Sequence, residues 1–328
     1  MDDNSQRAAE PRLAEAAETL RKVKGEIKKA VLGQDGALDM MMATLLCGGH
    51  ALFEGVPGTA KTLMVRALAA AVSLETKRIQ FTPDLMPSDI TGANVFNLAD
   101  NTFDLVKGPV FTDLLLADEI NRAPAKTQSA MLEGMNERQV TIDGKRHPLS
   151  GFFTVFATQN PIEFEGTYPL PEAQMDRFLM KIKIDYPALE AERAIMEAVS
   201  AGRPPDRLEN LGIIPVMGPE DLDAVRGALP LVRVEPGILE YILTITRATR
   251  GHESILVGAG PRGSIFLLQA AKATALIAGR DFVTPDDVVA MVNPTLGHRI
   301  TLSTGAEIRG GSTEEAMASI LDKTSVPR

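Results

Sequence analysis

One cysteine in 328 residues can form neither an intrachain disulfide nor a Cys-rich zinc site. Cys47 lies in the apolar run from Met40 to Phe53, where a buried, inert thiol is expected. Tryptophan is absent and tyrosine occurs three times, so the aromatic platforms on which single-stranded nucleic acid stacks are scarce. A basic excess is also missing. Lys plus Arg number 34 against 43 Asp plus Glu, a formal net charge of −9, which gives no overall pull toward nucleic acid or an anionic membrane but leaves room for a local basic channel. Apolar stretches are broken by Glu54, Arg66 or Lys272 before they reach membrane-spanning length. The opening MDDNSQRAAEPR has no apolar signal-peptide core. A cytoplasmic protein without membrane insertion and without a nucleic-acid partner is therefore expected. His50, His147, His252 and His298 are scattered without ligand spacing, and none is expected to hold a metal.

What is present is a length that suits one large or two ordinary domains, with 45% apolar and 23% charged residues as in soluble globular chains. Residues 1–11 are polar, contain Pro11 and read as a flexible tail. Good helix formers run from Arg12 to Ala30, with Leu13, Ala16, Leu20, Val23 and Ile27 on one face. Short apolar runs follow at 51–53, 78–81, 114–117 and 152–158, each near a turn or helix signal, and a fifth, 178–184, alternates with Lys181 and Lys183. Continuous apolar strands separated by helical sequence suggest a parallel sheet covered on both faces. After Tyr186-Pro187 the strand signals fade and 3.6-period segments take over at 188–199, 219–227, 235–248 and 262–278. A last helix follows Thr284-Pro285-Asp286-Asp287, a capping residue, a proline and two acids at the positive helix end. The chain thus divides into a tail (1–11), an α/β unit (12–187) and a helical unit (188–328).

Gly55-Val56-Pro57-Gly58-Thr59-Ala60-Lys61-Thr62 stands between an apolar strand and the helix-forming run that begins at Leu63. This is the setting of a P-loop, G-x-x-x-x-G-K-[ST], whose backbone N–H groups and helix N-terminus form an anion cradle. Lys61 can reach the β- and γ-phosphates of ATP, and the Thr62 hydroxyl can ligate Mg²⁺. Ala60 replaces the second motif glycine. In a right-handed conformation it is harmless; at positive φ it costs about 1 kcal/mol. The run Leu114–Ala117 delivers Asp118 and Glu119 at the C-terminal end of a strand, where open α/β sheets bind ligands. Asp118 suits a Mg²⁺ contact, and Glu119 suits accepting a proton from the attacking water. Asn160, at the end of the next strand, suits holding that water or a γ-phosphate oxygen.

These residues resemble the MoxR family of AAA+ ATPases over about 31–305. The resemblance is carried by VLGQ (31–34), GVPGTAKT (55–62), LLLADEINRAP (114–124), FATQNP (156–161), LPEAQMDRF (170–178), GPRGS (260–264), GRDFVTPDDV (279–288) and LGHRI (296–300). It implies an AAA+ αβα P-loop core followed by an all-helical lid, and Mg²⁺-dependent ATP hydrolysis. It further implies that Val31, Leu32, Gly33 and Gln34 border the adenine, with Leu63 completing the nucleotide contacts. Arg177 would be an arginine finger reaching a neighbour's nucleotide, and Arg262 the second sensor arginine. Gly260 and Gly263 stand where the family usually carries other small residues. Residues 83–108 match the second-helix insert of the clade that includes MoxR and magnesium-chelatase ATPases. Residues 139–147, with Asp143-Gly144 between strand-like runs, match the hairpin before the first sensor. Both would face a central pore or a partner. The implied assembly is a ring, expected as a hexamer, that remodels protein partners beside a separate protein with a von Willebrand factor A-type domain. A magnesium-chelatase-like motor subunit is the alternative. A nucleic-acid motor is disfavoured by the acidic charge and scarce aromatics, and a non-hydrolysing switch by the presence of Glu119.

Overall fold

The computed structural model describes residues 3–56, 58–160, 167–205 and 207–327, so Pro57, Pro161 and Glu163 lie outside the described residues. Helix α1 (Asp3–Ile27) begins well before the expected position and runs through Pro11, which removes one intrahelical N–H bond without ending the helix. Ala9, Leu13, Ala16, Leu20, Val23 and Ile27 are buried, so the apolar stripe continues upstream of Pro11 and packing holds that turn in place of the expected frayed tail. Helix α2 (Asp35–Leu46) follows, then β1 (Ala51–Glu54), α3 (Lys61–Ala71) and β2 (Thr76–Gln80). A short α4 (Pro87–Thr91) leads into the hairpin β3 (Gly92–Asn97) and β4 (Thr102–Lys107). After β5 (Leu114–Asp118) come α5 (Ala125–Glu137) and the hairpin β6 (Gln139–Ile142) and β7 (Lys145–Pro148). Asp143 and Gly144 link this hairpin at φ 46° and 77°, the doubly positive turn that an Asp-Gly pair favours. Strand β8 (Thr154–Gln159), the single turn α6 (Glu172–Met175) and β9 (Met180–Lys183) complete the α/β part.

The central sheet is parallel with strand order β2-β5-β8-β1-β9. Its apolar runs are continuous because successive side chains enter different layers, both of them buried. Leu114 and Leu116 join the core formed with α1, α2 and α3, whereas Leu115 and Ala117 join the one beneath α5. Phe53 and Phe156 stack across neighbouring strands in the first layer, with ring centres 6.0 Å apart. Strand β9 is an edge, which accounts for its alternation of buried Met180 and Ile182 with more exposed lysines.

Beyond β9 the chain is mostly helical: α7 (Leu189–Ser200), α8 (Pro219–Ala228), α9 (Pro236–Ala248), α10 (Pro261–Ile277), α11 (Pro285–Leu296), α12 (Thr304–Ile308) and α13 (Thr313–Lys323). A two-stranded ribbon, β10 (Ile255–Val257) with β11 (Thr301–Leu302), adds to the helical expectation here. At the start of α11 the Thr284 N–H donates to Asp287 at 2.8 Å, closing the cap that Thr-Pro-Asp-Asp announces. No described helix is long and apolar enough to cross a membrane.

Candidate functional site

The C-terminal ends of β1, β5 and β8 converge on a cleft of about 590 Å³ lined by Gly58–Leu63, Asp118, Glu119, Thr158, Gln159 and Asn160. The turn after β1 is tight. A Cβ on Gly55 would lie 2.4 Å from the Ile184 carbonyl oxygen, so only glycine allows β1 to pass this close to the chain leaving β9. Gly58 has φ 83° with open space around its α-carbon, a position that brings backbone rather than side chain to the cleft. Ala60 is left-handed, φ 63°, at the N-cap of α3, so the strained alternative holds and the substitution costs about 1 kcal/mol. The Lys61 ammonium lies on the loop's own Gly55 and Val56 carbonyls, and Thr59 Oγ1 donates to the Val56 oxygen at 2.9 Å.

Thr62, in the first turn of α3, faces Asp118, with Oγ1 at 3.3 and 3.4 Å from the two carboxylate oxygens. Asp118 is nearly fully buried. Thr158 Oγ1 donates to its Oδ1 at 3.2 Å, and Arg78 Nε donates to its Oδ2 at 2.7 Å. Hydroxyl and carboxylate oxygens are hard donors, and a pair of them beside a phosphate-binding loop fits Mg²⁺, which takes one or two protein oxygens and completes its shell with phosphate and water.

Glu119 adopts a left-handed backbone, φ 57° and ψ 49°, a strained conformation for a residue with a Cβ and of the kind that clusters at functional sites. Its N–H is fixed by Thr158 Oγ1 at 2.9 Å. Its carboxylate accepts from Gln80 Nε2 at 2.7 Å and pairs with Arg122 Nε at 3.0 Å. Asn160 is buried at the end of β8, and its carbonyl accepts from Asn121 Nδ2 at 3.4 Å.

Several residues that line this cleft, Arg78, Gln80 and Thr158 among them, were not singled out from the sequence. Arg78 and Gln80 share one face of β2 and pair in register with Leu116 and Asp118 on β5. Period-two alternation at a strand's C-terminal end was the available signal. Thr158, two residues before Asn160, carried the same signal. Ile195 of α7 and Pro205 line the cleft together with Val31 and Leu32, and nothing local in the sequence announces them.

Other expected residues are not brought into the cleft. Leu32 lines it, but Gly33 and Gln34 instead pin the segment to the start of the helical part. A Cβ on Gly33, φ 74°, would meet Ala191 at 2.4 Å, and Gln34 Nε2 donates to the Asp185 carbonyl at 2.9 Å. Arg177 does not line the cleft. Its Nη1 donates to the Leu132 carbonyl in α5 at 2.6 Å, and Asn136 one turn on offers its amide oxygen at 3.2 Å. Arg262 lies outside as well, half exposed and paired with Asp176 at 2.7 Å. Cys47 packs on the core, and burial pushes its thiol up to about 12, beyond reactive range.

Known proteins match this chain over nearly its whole length. The family model "ATPase family associated with various cellular activities (AAA)" matches residues 50–180, and the "AAA lid domain" model matches 247–320. YeaC of Bacillus subtilis, an uncharacterized protein, is 44% identical over 94% of this chain and 95% of its own. Chaperone MoxR1 of Mycobacterium tuberculosis is 41% identical over 96% of this chain and 84% of its own. A crystal structure of a candidate ATPase from Cytophaga hutchinsonii superposes with a TM-score of 0.89 at 40% identity, covering 98% of this chain and 99% of that one.

Proposed function

The chain belongs to the MoxR family of AAA+ ATPases, and on that premise we propose that it spends ATP hydrolysis on remodelling or assembling protein partners. It does so as a ring, a hexamer in our reading, beside a separate protein with a von Willebrand factor A-type domain. The magnesium-chelatase reading is not favoured, because the relatives that match along the chain include chaperone MoxR1 and the MoxR proteins of Paracoccus denitrificans and Methylorubrum extorquens.

The chain's own residues divide the chemistry. Lys61 and the N–H groups of the loop hold the phosphates, and Val31, Leu32, Ile195 and Pro205, which line the same cleft, offer an apolar wall to the base. Thr62 and Asp118 would hold Mg²⁺, which would neutralise charge developing on the phosphate oxygens. Glu119 accepts the proton of the attacking water, and Asn160 orients that water against the γ-phosphate. Gln80 and Arg122 both hold Oε2 of the Glu119 carboxylate in this conformation, so the water is taken up through Oε1 without loss of either partner.

The observation that carries the ring reading is the position of the two arginines. Arg177 and Arg262 bracket Asp176, one by sequence and one by ion pair, and neither lines the cleft that holds Lys61, Asp118 and Glu119. An Arg177 held outside its own cleft is placed to serve another subunit's, as a finger supplied in trans does. ATP turnover measured alone and with a von Willebrand factor A-domain protein, with DNA and with a porphyrin tests the function. Stimulation by the protein partner is expected, and stimulation by DNA or porphyrin alone would contradict the reading.

A further inference from the structure

The sequence Leu296-Gly297-His298-Arg299-Ile300 has no role in the chemistry above, yet it holds the most deeply buried guanidinium described in the helical part. The Arg299 side chain is 1% exposed. A buried guanidinium is tolerated when its charge is paired and its donors are satisfied. Arg299 Nε pairs with Asp176 Oδ1 at 3.0 Å, and Nη2 donates to the Asp176 carbonyl at 3.1 Å. The same group also donates to the carbonyls of Phe178, Leu179 and Thr295. Its planar face lies 4.9 Å from the centre of the Phe266 ring on α10. A Cβ on Gly263 would press on the Leu296 side chain at 2.9 Å but would meet the Arg299 side chain only at an ordinary contact distance of 3.5 Å.

Apart from the Thr295 carbonyl of α11, these acceptors belong to one strip of chain, 172–179, which carries Arg177. That strip is held from two sides. On the core side, Arg177 binds Leu132 and Gln174 Nε2 reaches Ser129 Oγ at 3.3 Å, both on α5. On the lid side, Arg299 and Arg262 share the Asp176 carboxylate, His298 Nε2 lies 3.1 Å from the Phe178 carbonyl, and Thr301 Oγ1 donates to Glu172 at 2.9 Å. Burial and the neighbouring Arg299 charge hold the His298 ring well below its ordinary range, so it sits there neutral. Any shift of the lid relative to α5 is therefore transmitted to the residue between Asp176 and Phe178, which is Arg177.

We propose that Arg299 is a positioning residue for Arg177: its grip on Asp176 and the following carbonyls locks the 172–179 strip to the lid, so that lid orientation sets where Arg177 is presented to the neighbouring subunit. This rests on the reading that Arg177 serves a neighbour's cleft. Misplacing a charge-bearing group by about 1 Å can cost on the order of a hundredfold in rate. A loosened strip therefore lowers turnover without touching nucleotide binding.

The test uses the full chain. Arg299→Gln keeps hydrogen-bonding capacity but loses the charge and the fork. Arg299→Lys keeps the charge against Asp176 and gives up most of the carbonyl contacts. Both are expected to bind ATP within about twofold of the parent, with KM held and kcat lowered, at least about tenfold for Gln and less for Lys. Combined with Arg177→Ala, Arg299→Gln is expected to add no further loss, because both act through the same group. Mixed with Lys61→Ala subunits, Arg299→Gln should regain activity; mixed with Arg177→Ala subunits, it should not. A double variant slower by the product of the two single losses, or recovery on mixing with Arg177→Ala, would overturn the proposal in favour of a purely structural staple. Should Arg299→Gln fail to fold, the same cycle is run with Arg299→Lys. Failure of the finger reading shows separately, as Arg177→Ala that is not rescued by Lys61→Ala.

Discussion

Thr62 Oγ1 and Asp118 Oδ1 lie 3.3 Å apart although 56 residues separate them in the chain. The first turn of α3 and the end of β5 thus bring a hydroxyl and a carboxylate to one point beside the phosphate loop. Thr62→Ala removes one of the two oxygens while leaving Asp118 with Arg78 and Thr158. The Mg²⁺ concentration for half-maximal turnover should rise about 10- to 100-fold, the usual cost of disturbing a metal's immediate surroundings. A Mg²⁺ titration of ATPase activity reads this directly, and an unchanged midpoint would remove Thr62 from the metal.

Glu119→Gln is nearly isosteric and can keep contact with Gln80. It should bind ATP with parental affinity and turn it over at least about a hundredfold more slowly, a typical loss for a positioned base. Equilibrium binding and single-turnover kinetics separate the two effects. Surviving hydrolysis would pass the role of base to another residue, and Asn160 would be the first replaced.

The left-handed Ala60 makes an opposite kind of prediction. Ala60→Gly relieves about 1 kcal/mol of backbone strain, partly offset by the greater freedom of glycine in the unfolded chain. A net gain of about 0.5 kcal/mol is expected, seen as a higher urea midpoint at constant slope. A lower midpoint would mean that the Ala60 methyl contributes packing that outweighs the strain.

His50 sets an acid limit on stability. Its Nδ1 accepts from the Val155 N–H at 2.9 Å and its Nε2 lies 3.1 Å from the Met135 carbonyl. Burial pushes its pKa down to about 4. A base whose pKa is lowered on folding contributes fully above the unfolded value, about 6.5, and loses that contribution as pH falls toward the folded one. Between pH 7 and pH 5 the stability gap between the parent and His50→Asn should shrink by roughly 2 kcal/mol, at about 1.4 kcal/mol per pKa unit. Urea unfolding at the two pH values checks it, and a constant gap would contradict it.

The sheet and the P-loop were legible because each rests on local sequence. Leu114–Ala117 is apolar throughout because its neighbours fill two different layers, and Asp118 and Glu119 break that run at the end where ligands bind. The long α1 was less legible, since Pro11 reads as a boundary until packing upstream of it is known. Arg78 and Gln80 were visible as residues of a strand, but only the pairing of β2 with β5 turns them toward Asp118 and Glu119. Least legible was Asp176. Its neighbour Arg177 looks like the natural partner, yet the carboxylate is taken by Arg262 and Arg299, 86 and 123 residues further on. Ion pairs across that span depend on how the lid packs, which no local pattern encodes.

The central claim is that Arg177 serves the neighbouring subunit's nucleotide. An arginine finger is worth about 10³- to 10⁵-fold in systems that use one. Arg177→Ala should bind ATP and fail to turn it over, keeping a sound cleft but offering no finger. Lys61→Ala should lose more than about tenfold in nucleotide affinity, since charge-assisted contacts to phosphate go with the ammonium, while its finger stays intact. The most direct measurement is the ATPase rate of the two inactive variants mixed across a range of ratios. Mixed rings contain interfaces with one sound cleft and one sound finger, so activity should appear in the mixture and peak at intermediate ratios. A mixture that assembles and stays inactive at every ratio would contradict the account.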